Sequence, residues 1–374
     1  MRIFHISDLH LGMQLKNYDL YEDQNYVLNQ VIQYIKDYQP DCLCIAGDVF
    51  DKQIPSLEAI KQYNEFISKI YQVKEDIVVL IISGNHDSGQ RIDQYKDLLS
   101  HQHLYVNGSL PIQKVVLKDE YGPVNFYLFP FSRPSQIRPF LKEQHDSLSY
   151  DQAVHLYLEQ LDVDDSQRNV LVSHQFYLPS EKELNSIERA DSEVKTVGNI
   201  DVIYSDILRQ YDYVALGHIH KPMTVKDSYI RYAGSPMAYS ISEENQKKQM
   251  LMIDLKEKGT TEITSLPLHP LRQVRTITGY YQDVIQETSE DYVRIELLDD
   301  QDLNFIDMNE QIRIHYPHVL EITRNVHVDY DMDMDLDTTK IKDPFELICE
   351  FIPDMDEQDQ KILQDIINEI GGLS

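Results

Sequence analysis

Short apolar runs recur along the first two thirds of the chain, each followed by a polar cluster. The runs cover residues 3–6, 42–46, 77–82, 170–172 and 213–216. Their length and continuous apolar character are typical of strands that are buried on both faces. Amphipathic segments lie between them, and this alternation predicts an α/β fold.

Two of the intervening segments carry apolar residues at helical spacing. The periodicity predicts helices over about 27–38 and about 57–70. Two further apolar runs, at 125–129 and 251–255, predict additional strands, and prolines follow the first of them. We therefore expect a first domain over residues 1–270.

A new unit is expected to begin near His269 and Pro270, because the strand pattern changes there. Its predicted strands are residues 274–277, 292–297 and 311–314. With few helical segments between them, they indicate a small α+β domain over residues 271–327. Pattern alone does not assign it a function.

The last part of the chain changes composition twice. Residues 328–343 begin with alternating acidic and apolar residues, which is typical of a solvated acidic linker. Residues 344–374 then carry apolar residues at helical spacing and end near Gly371 and Gly372. Two short helices are predicted there, which could either bind a partner or fold back onto the body.

Composition places the protein among folded globular chains and limits its partners. The 374 residues are 42% hydrophobic and 26% charged, which excludes a mainly disordered chain. The formal net charge of -29 argues against a large basic surface for nonspecific nucleic-acid binding. Metal ions would offset part of this charge locally, and the acidic excess is partly concentrated near the end of the chain.

Compartment is also suggested by the pattern. No apolar run approaches the roughly 18 residues of a membrane span, and the first residues lead directly into a polar cluster without a signal-peptide layout. Cys42 and Cys44 share one face of a predicted strand, and this spacing makes a poor disulfide. We expect a cytoplasmic protein with no membrane segment.

Five polar clusters follow the five apolar runs. They contain carboxylate, imidazole and amide side chains: Asp8 and His10; Asp48; Asn85, His86 and Asp87; His174; His218 and His220. Loops at the carboxyl ends of parallel strands converge on one edge of a sheet, where ligands bind in α/β proteins. Each cluster alone is weak, but together they predict one site.

The donor set of this site favours divalent metal ions. Oxygen and nitrogen ligands without a thiolate favour Mn, Fe, Co or Zn over Mg. Two ions about 3.5 to 4 Å apart can hold a phosphate ester during in-line displacement, and such a pair needs a bridging carboxylate. Asp48 is the candidate bridge. Gly47, Gly84 and Gly217 directly precede ligands, where a sharp turn leaves no room for a Cβ.

The ordered motifs DLH, GDVFD, GNHD, SH and GHIH resemble the signature of the calcineurin-like metallophosphoesterases. The resemblance covers residues 1–255 strongly. It implies that one metal ion is held by Asp8, His10 and His220, a second by Asn85, His174 and His218, and both by Asp48. It also implies catalytic roles for His86, which would stabilise the transition-state phosphate and assist the leaving 3′ oxygen, and for Asp87 beside it.

The same resemblance implies a fold and a substrate. The family fold is a four-layer αββα sandwich, expected here with the small α+β domain as a cap and with C-terminal helices. The GDVFD form and residues 234–244 are most similar to bacterial DNA nuclease subunits that work with an SMC-family ATPase. A two-metal exonuclease and endonuclease with Mn²⁺ as the preferred ion, acting in DNA end processing, repair and recombination, is therefore expected.

Further partners follow from the family. Residues 56–70 and 92–101 would form a homodimer contact, the protein would assemble with the ATPase as a heterotetramer, and residues 344–374 would bind that ATPase. A small-molecule phosphodiesterase or a phosphatase of the same fold is the main alternative, because the metal site alone does not select the ester. A scaffold with marginal activity is a third reading, which the complete ligand set opposes.

The chain departs from the nuclease pattern in two places. Asp51 stands where some nuclease relatives have a histidine, so no direct ligand role is expected for it. Residues 186–199 are only loosely similar to the corresponding loop of these nucleases, and substrate contact by Arg189 stays open against a plain surface loop.

Overall fold

The fold is described from a computed structural model of the chain. The described residues are 1–143, 148–179, 202–299 and 305–324. The predictions for the loop 186–199 with Arg189, the linker 328–343 and the tail 344–374 lie outside them.

Strands and helices alternate as the apolar pattern predicts. The strands are β1 Arg2–Ile6, β2 Gln14–Leu15, β3 Tyr18–Asp19, β4 Cys42–Ala46, β5 Val78–Ile82, β6 Leu104–Asn107, β7 Gln113–Asp119, β8 Gly122–Phe129, β9 Arg168–Ser173, β10 Tyr177–Leu178, β11 Ile203–Tyr204, β12 Tyr213–Leu216, β13 Met223–Thr224, β14 Ile230–Tyr232, β15 Gln249–Leu255, β16 Thr261–Pro267, β17 Val274–Gly279, β18 Tyr292–Leu297 and β19 Val319–Arg324. The α-helices are α1 Tyr21–Tyr38, α2 Leu57–Val73, α3 Gly89–Ile92, α4 Lys96–Ser100, α5 Pro134–Ile137, α6 Tyr150–Glu159, α7 Tyr281–Val284 and α8 Phe305–His315.

Two six-stranded sheets form the centre of the molecule. Their strand orders are β16-β15-β1-β4-β5-β6 and β13-β14-β12-β9-β8-β7. The strands β1, β4, β5 and β6 are parallel, and so are β8, β9, β12 and β14. All five predicted strand runs of the first domain are therefore inner strands of a sheet.

The inner faces of the two sheets pack on each other, and helices cover the outer faces. The shared core includes Ile3, Cys44 and Leu80 from one sheet and Phe126, Val172 and Ala215 from the other. Helices α1 and α2 bury apolar residues against the outer face of the first sheet, and α6 does so on the second. The four-layer αββα sandwich is thus confirmed.

Both predicted helices of the first domain are present. In α2, the Ser56 hydroxyl accepts a hydrogen bond from the Ala59 N–H at 3.1 Å, which begins the helix with a side-chain cap. Phe66 and Ile70 are buried on its inner face.

The region after residue 270 contains a small parallel sheet in the order β17-β18-β19, crossed by α7 and α8. The prediction of a strand at 311–314 is wrong, because these residues belong to α8. Met308, Ile312 and Tyr316 are buried at a spacing of four, whereas Ile314 is 65% exposed. The apolar period in this segment is that of a helix.

Residues Met1–Asn325 form one compact unit, and a second unit covers Val326–Ser374. The predicted boundaries at 270, 327 and 343 stay a prediction. In the described part of the chain, no helix is both long and apolar enough to cross a bilayer.

Candidate metal centre

Every predicted metal ligand follows the carboxyl end of a parallel strand. Asp8 and His10 follow β1, Asp48 follows β4 and Asn85 follows β5, all on the first sheet. His174 follows β9, and the pair His218 and His220 follows β12, on the second sheet. The structure brings all seven side chains together where the two sheets meet.

A first group of ligands consists of Asp8, His10 and His220. One ligand atom from each lies within 4.8 Å of the others, and all three residues are buried. The Nε2 atoms of His10 and His220 are 3.1 Å apart. Three donor atoms so close together can surround one cation.

A second group consists of Asn85, His174 and His218. The Oδ1 atom of Asn85 lies 3.2 Å from Nε2 of His174 and 2.9 Å from Nδ1 of His218. These donors converge on a second position beside the first.

Asp48 lies between the two groups. Its Oδ2 atom is 3.6 Å from Nε2 of His10 and 3.2 Å from Nε2 of His174. Its Oδ1 atom accepts a hydrogen bond from the backbone N–H of His86 at 2.8 Å, which fixes the carboxylate orientation. One oxygen of Asp48 therefore faces both groups, as a bridging ligand must.

The backbone at the ligands is held in an uncommon conformation. Asp8, His10, Asp48 and His218 have φ angles of 54°, 43°, 48° and 97°. Positive φ is costly for residues with a Cβ and concentrates at functional sites. Here it turns each side chain from the strand end into the shared site.

Two glycines give the site its room. Gly47 has a φ of 88°, and a Cβ there would lie 2.2 Å from Nδ1 of His174. A Cβ on Gly84 would lie 2.1 Å from Oδ1 of Asp48. Larger residues at either position would displace a ligand, which is the physical reason for the Gly-Asp and Gly-Asn pairs.

Partners behind the imidazoles fix which ring nitrogen faces the site. His174 donates from Nδ1 to the Ala46 carbonyl at 2.6 Å, and since a carbonyl only accepts, its Nε2 carries the inward lone pair. His220 contacts the Glu243 carboxylate through Nδ1 at 3.1 Å, with the same consequence. Such partners orient metal-binding histidines and raise their basicity.

The sequence motifs did not assign Glu243 a role, yet it is one of the most tightly held carboxylates near the site. It is 1% exposed, and its Oε2 atom lies 2.6 Å from Nζ of Lys248. Ser235 donates to the same oxygen at 3.1 Å. Burial would raise the pKa of Glu243, but Lys248 and His220 hold it well below its usual range. Its only sequence signal was its place inside the family-like segment 234–244.

His86 lies at the edge of the first group. Its Nδ1 donates to the Asp51 carbonyl at 2.9 Å, which leaves Nε2 available, and its ring is 4.8 Å from that of His10. Its nitrogen also lies close enough to His10 and Asp48 to share a cation with them. A non-ligand role for His86 therefore stays a prediction.

Asp87 points away from the ligands. Its two oxygens accept hydrogen bonds from the backbone N–H groups of Val49, Phe50 and Gly84 at 2.9 to 3.0 Å. Asp87 therefore holds the loop that carries Asp48. Burial and the Asp48 charge raise the pKa of Asp87 to about 6. A direct catalytic part for it stays a prediction.

The electrostatics of the centre call for cations. Burial raises the pKa of Asp8, which marks a carboxylate short of positive charge. Burial would lower the pKa of His174, but Asp48 and Asp8 raise it to about 9. Two buried carboxylates surrounded by inward imidazole lone pairs and an amide oxygen match borderline divalent ions in ligand type. The donor chemistry of the residues thus fits the implied metal pair.

Comparisons with known proteins agree with this geometry. The family model described as calcineurin-like phosphoesterase matches residues 1–222. The chain belongs to this family, and it is accordingly a hydrolase of phosphate esters. A second model, described as type 5 capsule protein repressor C-terminal domain, matches residues 267–356.

Two curated relatives are named as the SbcD component of the nuclease SbcCD. The protein from Staphylococcus epidermidis is 31% identical over 96% of this chain and 94% of its own length. The one from Staphylococcus saprophyticus is 32% identical over 78% of this chain and 75% of its own. A solved dimetal phosphatase from Danio rerio superposes with a TM-score of 0.37 at 13% identity, covering 72% of this chain and 99% of that one.

Proposed function

We propose that this phosphoesterase hydrolyses the phosphodiester bonds of DNA as the nuclease component of an SbcCD-type complex. The observation that carries the proposal is the convergence of all seven predicted ligands in a chain similar to the SbcD component of the nuclease SbcCD over 96% of its length. Exonuclease and endonuclease action in DNA end processing, repair and recombination is part of the proposal.

The chain's own residues would divide the work of the reaction. When bound, two divalent ions supply Lewis-acid polarisation of the phosphate and activation of water. Asp8, His10 and His220 would hold one ion, Asn85, His174 and His218 the other, and Asp48 both. His86, with its ring fixed on the Asp51 carbonyl, would stabilise the phosphate and pass a proton to the leaving 3′ oxygen.

Mn²⁺ is proposed as the preferred ion. Carboxylate and amide oxygens beside imidazoles suit Mn²⁺ better than a thiolate-selective metal. Dialysed protein reloaded with Mn²⁺, Mg²⁺ or Zn²⁺ should therefore show the highest rate with Mn²⁺. A preference for Mg²⁺ would overturn this part of the proposal and leave the fold assignment untouched.

A direct test offers the purified protein several esters in Mn²⁺. Labelled single- and double-stranded DNA are presented beside p-nitrophenyl phosphate, with and without the ATPase partner. The proposal expects DNA hydrolysis at a far higher kcat/KM than that for the monoester. Rapid monoester turnover without DNA cleavage would favour the phosphatase alternative.

A homodimer through α2 and α4 is also proposed. Ile54, Leu57, Tyr95 and Leu98 are between 66% and 80% exposed, which is unusual for large apolar residues close together in the sequence of two neighbouring segments. Light scattering at micromolar concentration should give a dimer, and Leu57→Glu with Leu98→Glu should give a monomer. A wild-type monomer would contradict the proposal.

We propose that residues 344–374 bind an SbcC-like SMC-family ATPase, with residues 328–343 as a linker and 271–327 as a cap. A dimer joined to two such ATPases would be a heterotetramer, in the cytoplasm, where the buried thiols of Cys42 and Cys44 stay reduced. Truncation after Asp337 should abolish co-purification with the ATPase while metal binding persists. Full co-purification, or unfolding of the truncated protein, would overturn this assignment.

A further inference from the structure

A cleft with a volume of about 730 Å³ opens beside the second ligand group. Asn85 forms part of its wall, so the cleft is continuous with the metal centre. The segment 131–140 forms the opposite wall, where Phe131 lies against the rings of His174 and His218, with ring centroids 6.4 Å apart in both pairs. This size lies in the range of ligand sites.

The lining of the cleft differs in charge from the rest of the molecule. The chain has 63 acidic residues and a formal net charge of -29. Among the described residues that line the cleft, Asp87 is the only carboxylate, and its oxygens are turned onto backbone N–H groups. The other lining side chains are mostly serine, glutamine and asparagine. An anion entering the cleft therefore avoids the repulsion that it would meet elsewhere on the protein.

Arg133 supplies positive charge to the cleft wall. Its side chain is exposed, and it forms no ion pair with a carboxylate in the part of the chain that the structure describes. Gln136 accepts a hydrogen bond from the Arg133 backbone N–H at 2.8 Å, which fixes the backbone below the guanidinium. Arginine with serine and glutamine is the set of side chains that contacts nucleic-acid phosphates.

An aromatic ring stands at the rim of the same cleft. Phe140 is 41% exposed, and its ring centroid lies 6.3 Å from that of the buried Tyr157. An exposed ring beside a cationic side chain is the arrangement that binds an unpaired strand, because bases stack on the ring while the backbone contacts the charge.

We propose that this cleft binds the single-stranded segment adjoining the scissile phosphate, with Arg133 on a backbone phosphate and Phe140 under a base. This inference rests on the proposed function and names where the substrate lies. A cleft of this volume takes an unpaired strand and excludes a duplex. Substrates with an unpaired end are therefore expected to be preferred over blunt duplexes.

The test measures kcat and KM of the Mn²⁺-loaded full chain on a labelled short oligothymidylate over a range of KCl concentrations. Arg133→Ala should raise KM about five- to tenfold, and the slope of log KM against log salt should fall by about 0.7, the value for one lost phosphate contact on a single strand. Arg133→Lys should retain the slope. Phe140→Ala should raise KM about tenfold and leave the slope as in the wild type.

Arg209→Ala is the matched control, because it removes the same charge before the start of β12, at the sheet edge opposite the site. It should behave as the wild type. Wild-type KM and slope in both Arg133→Ala and Phe140→Ala would overturn the cleft assignment. So would an equal loss on bis(p-nitrophenyl) phosphate, since that ester is too small to span the cleft. A wild-type protein that cuts this small diester but no oligonucleotide would instead refute the proposed function.

Discussion

At the scale of single residues, the two oxygens of Asp48 have separate tasks. Oδ1 is fixed by the His86 N–H, and Oδ2 faces His10 on one side and His174 on the other. A carboxylate held in this way is already oriented for two ions before they bind. This lowers the entropic cost of assembling the site.

Replacing His86 with Ala separates a catalytic role from a ligand role. The imidazole is held by the Asp51 carbonyl and borders only one ligand group, so bound metal should stay near the wild-type amount. The chemical step should slow by about 100- to 1,000-fold, the usual contribution of a positioned acid or base. Elemental analysis with single-turnover kinetics checks both. Loss of one ion per chain would make His86 a ligand.

Replacing Glu243 with Gln tests the partner behind His220. The amide keeps the shape but removes the charge that orients the imidazole, so metal affinity should fall by about 10- to 100-fold. Titration calorimetry with Mn²⁺ measures this without turnover. Glu262→Gln is the control, because Glu262 is an exposed carboxylate on β16 that also pairs with a lysine. Equal affinities in both variants would show that Glu243 serves only the packing of Lys248.

The ligand residues could be predicted from the sequence, and their supporting residues could not. Asp8, Asn85 and His218 stand in short motifs directly after apolar runs, where local spacing carries the signal. Glu243 lies 23 residues after its partner His220 and contacts it only through the fold. Such long-range contacts leave no periodic trace in the chain. The same applies to Arg133, whose role depends on a cleft between loops.

At the scale of elements, the pattern predicted inner strands and missed edge strands. β16 and β6 form the two edges of the first sheet, and β13 and β7 those of the second. Edge strands carry polar residues that prevent pairing with other chains, so their apolar signal is weak. The sequence of β16, TEITSLP, is an example, with one buried residue. Strands buried on both faces show a continuous run instead.

The two sheets are tied at the edge opposite the metal centre by Arg168 of β9. Its guanidinium is paired with Asp119 of β7 and donates to the carbonyls of Leu255 and Lys256 at 3.2 and 2.9 Å. Only 2% of the Arg168 side chain is exposed. This pair therefore joins the end of β15 in one sheet to two strands of the other.

Asp119→Asn should destabilise the protein at neutral pH by roughly 2 kcal/mol, the scale of a hydrogen bond to a charged group. Burial would raise the pKa of Asp119, but Arg168 holds it well below its usual range. A depressed folded-state pKa gives stability that is present above the unfolded value of about 3.9 and is lost as pH falls below it. The gap in melting temperature between variant and wild type should therefore narrow below about pH 4. A constant gap would contradict this assignment.

At the scale of the whole molecule, the small C-terminal sheet is attached to the sandwich close to the active site. Arg272 contacts Glu22 and Asp23 of α1, each at 2.7 Å. Thr276 donates to Glu244 at 2.6 Å, and this residue directly follows the partner of His220. The sheet thus supports the loop that orients a metal ligand. Its position could not be predicted, because these ion pairs join residues far apart in the sequence.

The acidic chain and its proposed substrate are compatible at this scale. A net charge of -29 opposes a broad basic surface, and no such surface is required if the ions and one neutral cleft receive the strand. Metal ions are the largest local charges in such a site. DNA affinity of the isolated chain is therefore expected to depend strongly on bound metal.

The most direct test of the central claim is the cleavage of labelled single-stranded DNA in Mn²⁺ by Asp48→Asn, with bound metal counted in the same sample. Removing the bridging charge from between His10 and His174 should weaken both ions and lower the cleavage rate by more than about 100-fold, while the melting temperature of the metal-free protein stays close to that of the wild type. A folded Asp48→Asn protein that binds two ions and cuts DNA at the wild-type rate would contradict the two-metal nuclease assignment.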